Sequence, residues 1–216
     1  MVNMDFSKRV VIDTIAADWQ ASPKAGVWRK PLAREEAERG HATSIVRYDP
    51  DSSFPEHDHP LGEEIYVLEG TFSDHTGDYR AGTYFRNPPG FVHAPFSDEG
   101  CIILVKLHQF QPDDTHKVTV QTAKAAWHPV QEGLEALTLH EFRDERVSLV
   151  RAVSAQAFPE HTHDGGEEIY VIEGEAFDEH GSYAAGSWMR YPRSSSHRPG
   201  MAAGTLLWVK QGRLPA

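Results

Sequence analysis

Cysteine occurs once, at Cys101, in a chain of 216 residues. A single thiol excludes an internal disulfide framework and any cysteine-based zinc module, and it fits a reducing compartment such as the cytoplasm. Basic residues are also scarce: 21 Lys and Arg stand against 32 Asp and Glu, for a net charge of −11. A chain this acidic repels phosphate backbones, so nucleic acid is not expected as a direct partner. Nowhere does an apolar run approach the length of about 18 residues that a membrane span needs. The opening MVNMDFSKRVVIDTIAADW does not read as a signal peptide, because its apolar run is short and Asp13 interrupts it. Hydrophobic residues still make up 39% of the chain, enough for a core in one large β domain or two small ones.

What the sequence does have is a repeat. Residues 55–70 read PEHDHPLGEEIYVLEG, residues 159–174 read PEHTHDGGEEIYVIEG, and the two match at twelve of sixteen positions. The same offset carries TSIVRY (43–48) onto VSLVRA (147–152) and GDYRAGTYFR (77–86) onto GSYAAGSWMR (181–190). It also carries GCIILVKL (100–107) onto GTLLWVKQ (204–211). A unit of this length is a duplicated domain, since solenoid repeats run to only about 20–50 residues. The polar stretch QPDDTHK (111–117) marks the join. The expected domains are therefore 1–114 and 115–216.

Each copy reads as β structure. Short runs rich in β-branched and aromatic residues alternate with Gly, Pro and Asp clusters, a pattern of sandwiches and small barrels. Strands are expected at 44–48, 65–68 and 101–107, and at 148–152, 169–172 and 205–209. LAREEAERG (32–40) looks locally helical, but its counterpart around LHEFRDERV (139–147) reads as strand, turn, strand, and both are taken as hairpins.

Histidine and glutamate recur at fixed spacing within the repeat. Residues two apart on a strand share a face, so His57 and His59 can both point into a barrel. Glu63 follows the turn PLG, and His93 follows the Pro-Pro-Gly turn of GTYFRNPPGFVH. The second copy supplies His161, His163, Glu167 and His197 at the same spacings. An isolated H-x-H is more often a surface turn than a ligand pair. Four ligand-type residues recurring twice with the same Gly and Pro punctuation point instead to two metal sites. Around the last histidine the copies have drifted, NPPGFVHAPF against YPRSSSHRPG, and the histidine stays.

These motifs resemble those of the cupin superfamily. His57, His59, Glu63 and Gly70, with His161, His163, Glu167 and Gly174, match the second part of the first cupin motif. Gly82, Pro88, Gly90 and His93 match the second motif through its histidine, as do Gly186, Pro192 and His197 with Ser194 in place of the glycine. The opening glycine of the first motif is replaced by Asp51 and Ala155, and the closing asparagine of the second by Ser97 and Met201. The phrases HDHPLGEEIYVLEG, GDYRAGTYFRNPPG and GCIILVKL are similar to the cupin domain of ChrR-type anti-sigma factors. The resemblance covers almost the whole chain and implies an all-β bicupin, two tandem jelly-roll barrels. In that family the domain binds zinc. The N-terminal zinc-binding helical domain of those anti-sigma factors, with its clustered His and Cys, has no counterpart expected here, so sigma-factor binding is not carried over.

Three histidines and one glutamate leave the chemistry open. Imidazole suits zinc, iron, nickel and copper, and carboxylate adds affinity for manganese. Four protein ligands on tetrahedral zinc make a closed site, whereas a six-coordinate metal keeps positions for water, dioxygen or substrate. Two divalent metals per chain are expected, zinc first, with iron, manganese or nickel as alternatives. Two functions follow: a metal-dependent small-molecule-binding or sensor protein related to anti-sigma regulation, and an iron-dependent dioxygenase acting on a small ketone or diketone. A small-molecule ligand and a homodimer are the expected partners.

Other residues are read more plainly. Glu64 and Glu168 are expected to point away from the cavity. Lys106 and Lys210, at matching strand positions, are assigned by default to solvent, and Cys101 to a buried strand. Pro89, Phe91, Val92 and Phe96 surround His93, and Arg193, Ser194, Ser195, Ser196 and Arg198 surround His197. If these residues face the cavities, the first takes an apolar guest and the second a small anion. If they lie on an outer loop, they decide nothing.

Overall fold

The structure is a computed structural model that describes residues 1–36 and 40–215. It is all-β apart from one short 3-10 turn at Thr122–Lys124. Among the described residues, no helix is long and apolar enough to cross a membrane. All six expected strand segments are strands, except that Thr205 precedes the strand Leu206–Gln211.

The chain divides into two compact units. The first comprises Met1–Met4 with Asp18–Lys124, and the second Asp5–Ala17 with Ala125–Ala216. This differs from an uninterrupted division at 114/115. Val10–Asp13, the opening strand of the first repeat, pairs antiparallel with Ser187–Tyr191 in the second unit. Val118–Gln121, the opening strand of the second repeat, pairs with Thr83–Asn87 in the first. Each repeat thus contributes its first strand to the other unit's sheet, where it covers backbone that would otherwise form an open edge. Phe6 is buried in the second unit, where its ring lies under the Arg190 guanidinium at 4.3 Å.

In the first unit the large sheet runs Val118–Gln121, Thr83–Asn87, Glu63–Asp74, Cys101–Leu107, Ala42–Tyr48, Val27–Arg34, Gln20–Ala21. The second unit repeats this order with Val10–Asp13, Ser187–Tyr191, Glu167–Glu173, Leu206–Gln211, Glu145–Ala152, Leu134–Phe142 and His128–Gln131. Both hairpins form as strand pairs, Val27–Arg34 with Ala42–Tyr48 and Leu134–Phe142 with Glu145–Ala152. Residues 37–39 of the first turn lie outside the described residues.

The inner faces carry the cores. In the first unit Val46, Ile65, Val67, Phe85, Ile103 and Val105 pack with Phe72 and Tyr79. Burying each such side chain contributes about 1.5–3 kcal/mol. CIILVKL reads as a continuous apolar run because its other face is buried as well: Leu104 and Lys106 are each 1% exposed. The lysines are therefore not solvated, as the default for a strand lysine had them. Lys106 donates to Thr43 Oγ1 at 2.8 Å, and Lys210 lies 3.2 Å from Glu145. Glu64 points away from the cavity as expected, but it is buried beside Arg86 at 3.6 Å. Cys101 is buried in the core, which pushes its thiol up to about 11.

Gly70 sits where only glycine fits. Its φ is +68°, and a Cβ there would lie 2.0 Å from the Gly100 carbonyl oxygen. Gly174, at the matching end of EEIYVIEG, has φ +76°, and a Cβ there would lie 2.7 Å from Thr205 Cα.

Candidate metal centres

The two ligand sets are built by one construction. His57–His59 pairs antiparallel with Phe91–His93 so that His93 lies opposite His57. The turn at Leu61 and Gly62 then returns the chain, with Gly62 N–H donating to the His59 carbonyl, and starts the strand that opens with Glu63. Gly90 N–H donates to the same carbonyl, which closes the Pro-Pro-Gly turn. In the second unit Ser194 occupies that position. It keeps the left-handed backbone at φ 57° and the equivalent bond to His163, so the lost motif glycine does not disturb the turn.

The three histidines of each set come together. One ring nitrogen from each of His57, His59 and His93 lies within 4.8 Å of the others, and His161, His163 and His197 do the same. His59 Nε2 and His93 Nε2 are 3.0 Å apart, and His163 Nε2 and His197 Nε2 are 2.9 Å apart. Glu63 reaches the first cluster at 3.5 Å from His59 and 3.6 Å from His93. Glu167 reaches the second at 3.4 Å from His163 and 3.7 Å from His197. All eight residues named from the sequence are thus gathered in two groups of four.

The hydrogen bonds fix how the rings present themselves. A carbonyl oxygen only accepts, so His57 Nδ1 carries the proton it donates to Pro55 O at 2.8 Å. His57 Nε2 then bears a lone pair, and His161 follows through Pro159 O at 3.1 Å. His93 Nδ1 donates to Asp74 Oδ2 at 2.9 Å, which likewise turns its Nε2 lone pair inward. Burial, then the neighbouring His57 and His93, pushes His59 down to about 3. Burial, then His197 and His161, pushes His163 down to about 4. Burial also raises Glu63, and it raises Glu167 to about 7. Clustered imidazoles, with His59 and His163 pushed down, facing a buried carboxylate that resists ionisation are the donor set of a cation site, because a divalent ion supplies the charge the carboxylate lacks. The residues fit a transition metal.

Each glutamate is held by a side-chain amide, and the two amides come from different strands. Glu63 stands between Asn87 and Leu107, and Glu167 between Tyr191 and Gln211. Asn87 donates to Glu63 at 3.0 Å, and Gln211 donates to Glu167 at 2.9 Å. The neighbouring position without the amide is leucine in the first unit, Leu107, and tyrosine in the second, Tyr191.

Asp74 supports the first site, and its counterpart Asp178 does not do the same in the second. Burial acts to raise Asp74, but hydrogen bonds from His93 and Thr76 outweigh it and hold the carboxyl near 2. Asp178 instead accepts from Tyr183 at 2.6 Å, Tyr191 at 2.8 Å and Arg9 at 3.1 Å. It lies 3.9 Å from His197 Nδ1, too far to bond it. The sequence held a signal for this pair, since both aspartates fall at the repeat offset.

The cavities differ more than the ligand sets. The first unit encloses about 570 Å³ beside His57, His59 and Glu63, and Arg29, Arg34 and His108 share its wall. The second encloses about 200 Å³ beside His161, Glu167 and His197, in a wall dominated by Phe158, Ile169, Met189, Met201 and Leu207. This reverses the polarity expected from the residues around the last histidines. Those residues face elsewhere: Phe91 stacks on His75, Arg193 bonds the Leu214 carbonyl, and Arg198 pairs with Glu160. Phe91, Val92 and Arg193–Arg198 apart from His197 line neither cavity; alternation along the three-residue strands turns Val92 and Ser196 outward.

The ChrR cupin-like domain model matches residues 7–111 and again residues 115–215. No curated protein sequence matches the chain significantly. Among solved structures, a candidate dioxygenase from Nostoc punctiforme is similar over 97% of this chain and 88% of its own, with TM-score 0.79 and 15% identity. A candidate glyoxylate-induced protein from Pseudomonas aeruginosa is similar over 96% and 91%, with TM-score 0.73 and 16% identity. Lactobacillus farciminis oxalate decarboxylase, in a formate complex, is similar over 96% and 87%, with TM-score 0.65 and 14% identity. At these identities the likeness is one of fold.

Proposed function

We propose, for a chain that belongs to the ChrR cupin-like family through both of its halves, that it binds a small molecule at a metal in its first unit. His57, His59, Glu63 and His93 would hold the ion, and the guest would enter from the adjoining cavity. One observation carries this reading: the cluster opens onto a half-open cavity of about 570 Å³, and three of its four residues form part of the wall. A metal that only braces the fold needs no cavity. A bound divalent ion supplies Lewis acidity to an oxygen of the guest. The chain's own residues do the rest. Asp74 orients His93, Asn87 orients Glu63, and Val46, Phe72 and Ile103 keep water from the guest's apolar part. Zinc, the metal the ChrR likeness suggests, makes this a ligand sensor.

A second reading, an iron-dependent dioxygenase acting on a small ketone or diketone, is favoured by the same open face and by the fold shared with a candidate dioxygenase. Glu63, the buried carboxylate of the cluster, would take the proton from such a substrate.

Cobalt substitution tests the primary reading. A five- or six-coordinate absorption spectrum that shifts when acetate is added supports an open site. An intense tetrahedral spectrum indifferent to acetate sinks it. Oxygen uptake by the iron-loaded protein with pentane-2,4-dione decides between sensor and dioxygenase.

A further inference from the structure

We infer that the second unit's cavity is a separate binding site for a small uncharged molecule. The guest presents one neutral oxygen or nitrogen donor to His161, Glu167 and His197, and behind it a single ring or short branched chain with no second polar group. The donor end rests on the fit of the second cluster to a metal, and the apolar end rests on the wall alone.

The register of the large sheet builds the cavity in two rows. Glu167 stands between Tyr191 and Gln211, and two residues along the same strand Ile169 stands between Met189 and Val209. Alternation puts both rows on one face, and all six residues line the cavity. The first row carries the ligand glutamate and the amide that holds it. The second row is wholly apolar and lies about 6.8 Å away, at roughly 3.4 Å per residue. The smaller sheet continues the apolar end, with Ala176 between Tyr183 and Met201.

The polar side chains of the wall outside the cluster are already bonded. They are Tyr183, Tyr191 and Gln211. Tyr183 and Tyr191 donate to Asp178 at 2.6 and 2.8 Å, and Gln211 donates to Glu167 at 2.9 Å. Among the described residues, no lysine, arginine or aspartate lines this cavity. A charge or a second hydroxyl lying against the apolar row would be desolvated without a partner.

Size and surface set the body of the guest. The space is about 200 Å³. A cavity of about 150 Å³ lined by leucine, isoleucine and phenylalanine takes a benzene ring, so one ring with a short substituent fills this one. Met189 and Met201 are buried in its wall, and a thioether makes favourable contacts with aromatic rings.

The first unit is a control within the same chain. Asn87 stands where the second unit has Tyr191, Ser97 where it has Met201, and Ser73 where it has Phe177. Asn87 holds Glu63, Ser97 donates to the Thr71 carbonyl, and Ser73 donates to Asp78. Phe177 reaches the second cavity across Gly200, where a Cβ would lie 2.1 Å from its ring. The first unit has Phe96 in the place of that glycine. Three polar positions of the first unit are thus apolar or aromatic in the second, while both clusters gather the same ligands. Holding a metal does not account for that difference.

Three ring probes of one shape separate the terms. They are 4-ethylpyridine, with a nitrogen donor and an apolar tail; 4-pyridylmethanol, with a hydroxyl in place of the terminal methyl; and ethylbenzene, with the tail and no donor. The methionines make the readout local, since Met189 and Met201 line the second cavity and none lines the first. Methionine-methyl NMR of the zinc-loaded full chain follows each titration in mildly alkaline buffer, where the pyridine nitrogen is uncharged. 4-Ethylpyridine should shift both methyls to saturation, with Overhauser contacts from its ring. 4-Pyridylmethanol should bind about tenfold more weakly, the scale of a buried hydroxyl without a partner. Ethylbenzene should also bind more weakly than 4-ethylpyridine, and a chelator that strips the metal should abolish that difference. Ala176→Leu fills the cavity and should remove the shifts. If its melting curve shows a lost fold, Leu207→Phe fills the same space from the large sheet. No shift at either methyl up to the solubility of 4-ethylpyridine, equal binding of 4-pyridylmethanol, or undiminished binding in a folded filling variant overturns the inference. Ethylbenzene bound as tightly as 4-ethylpyridine to the zinc-loaded chain overturns the donor end, and with it the inference as stated.

Discussion

Replacing Asp74 by asparagine removes the charge behind His93 and leaves the shape nearly unchanged. The carboxylate accepts from His93 Nδ1 at 2.9 Å, and both side chains are buried. Its pKa near 2 keeps it ionised at neutral pH, so it raises the basicity of the nitrogen on the far side of the ring. An asparagine oxygen can still accept that bond, but it brings no charge. Loss of such a partner costs about 10- to 100-fold in metal affinity, or about 1.4–2.7 kcal/mol. Asp178→Asn is the matched control. Asp178 lies 3.9 Å from His197 and is committed to Tyr183, Tyr191 and Arg9, so its loss should weaken the second site less than about threefold. Competition with a chromophoric chelator measures each site, with His197→Ala isolating the first and His93→Ala isolating the second. If Asp74→Asn stays within twofold of its parent, or Asp178→Asn costs as much as Asp74→Asn, the account of how the rings are held is wrong.

The pH dependence of the metal-free protein has a definite sign at Glu167, whose carboxyl burial raises to about 7. Its contribution to stability is complete below about pH 4.5 and is lost as pH rises towards 7, by at most about 3 kcal/mol. Urea unfolding of the wild type should show this fall and Glu167→Gln should not; parallel curves would refute it. Gly70→Ala should destabilise the first unit by about 3 kcal/mol or more, since the left-handed backbone and the Gly100 carbonyl both oppose a side chain; a calorimetric scan unchanged by the substitution contradicts the geometry. Phe6→Ala should cost about 3 kcal/mol in the second unit while the first site's metal affinity holds. A loss confined to the first unit would mean that the opening strand is not exchanged.

The fold and the gathering of the two His, His, Glu, His groups were legible because the chain states them twice. A spacing of His, His, Glu and His repeated at one offset, with Gly70 and Gly174 closing the same strand, specifies side chains and turns together. Asp74 and Asp178 were legible on the same ground, but nothing local marks a carboxylate as a partner of a histidine nineteen residues on. The exchanged strands were not legible. VVID alternates like any half-buried strand, and the pattern does not say which sheet it joins. Lys106 was misread because solvation is the usual fate of a strand lysine, and its burial depends on the face opposite the core. The cavity polarity was misread because charge near a ligand in sequence was taken for charge near it in space. Arg29 and Arg34 lie at least twenty residues before His57 and reach the cavity only through the sheet register.

The most direct test of the central claim is a crystal structure of the purified chain with anomalous diffraction collected at the metal edges. The account expects a peak bound by His57, His59, Glu63 and His93, at about 2.0–2.2 Å from the ring nitrogens. At least one non-protein ligand should face the cavity that holds Arg29 and Arg34. A peak there with four protein ligands in a closed tetrahedron, or no peak in protein never exposed to chelator, would contradict it.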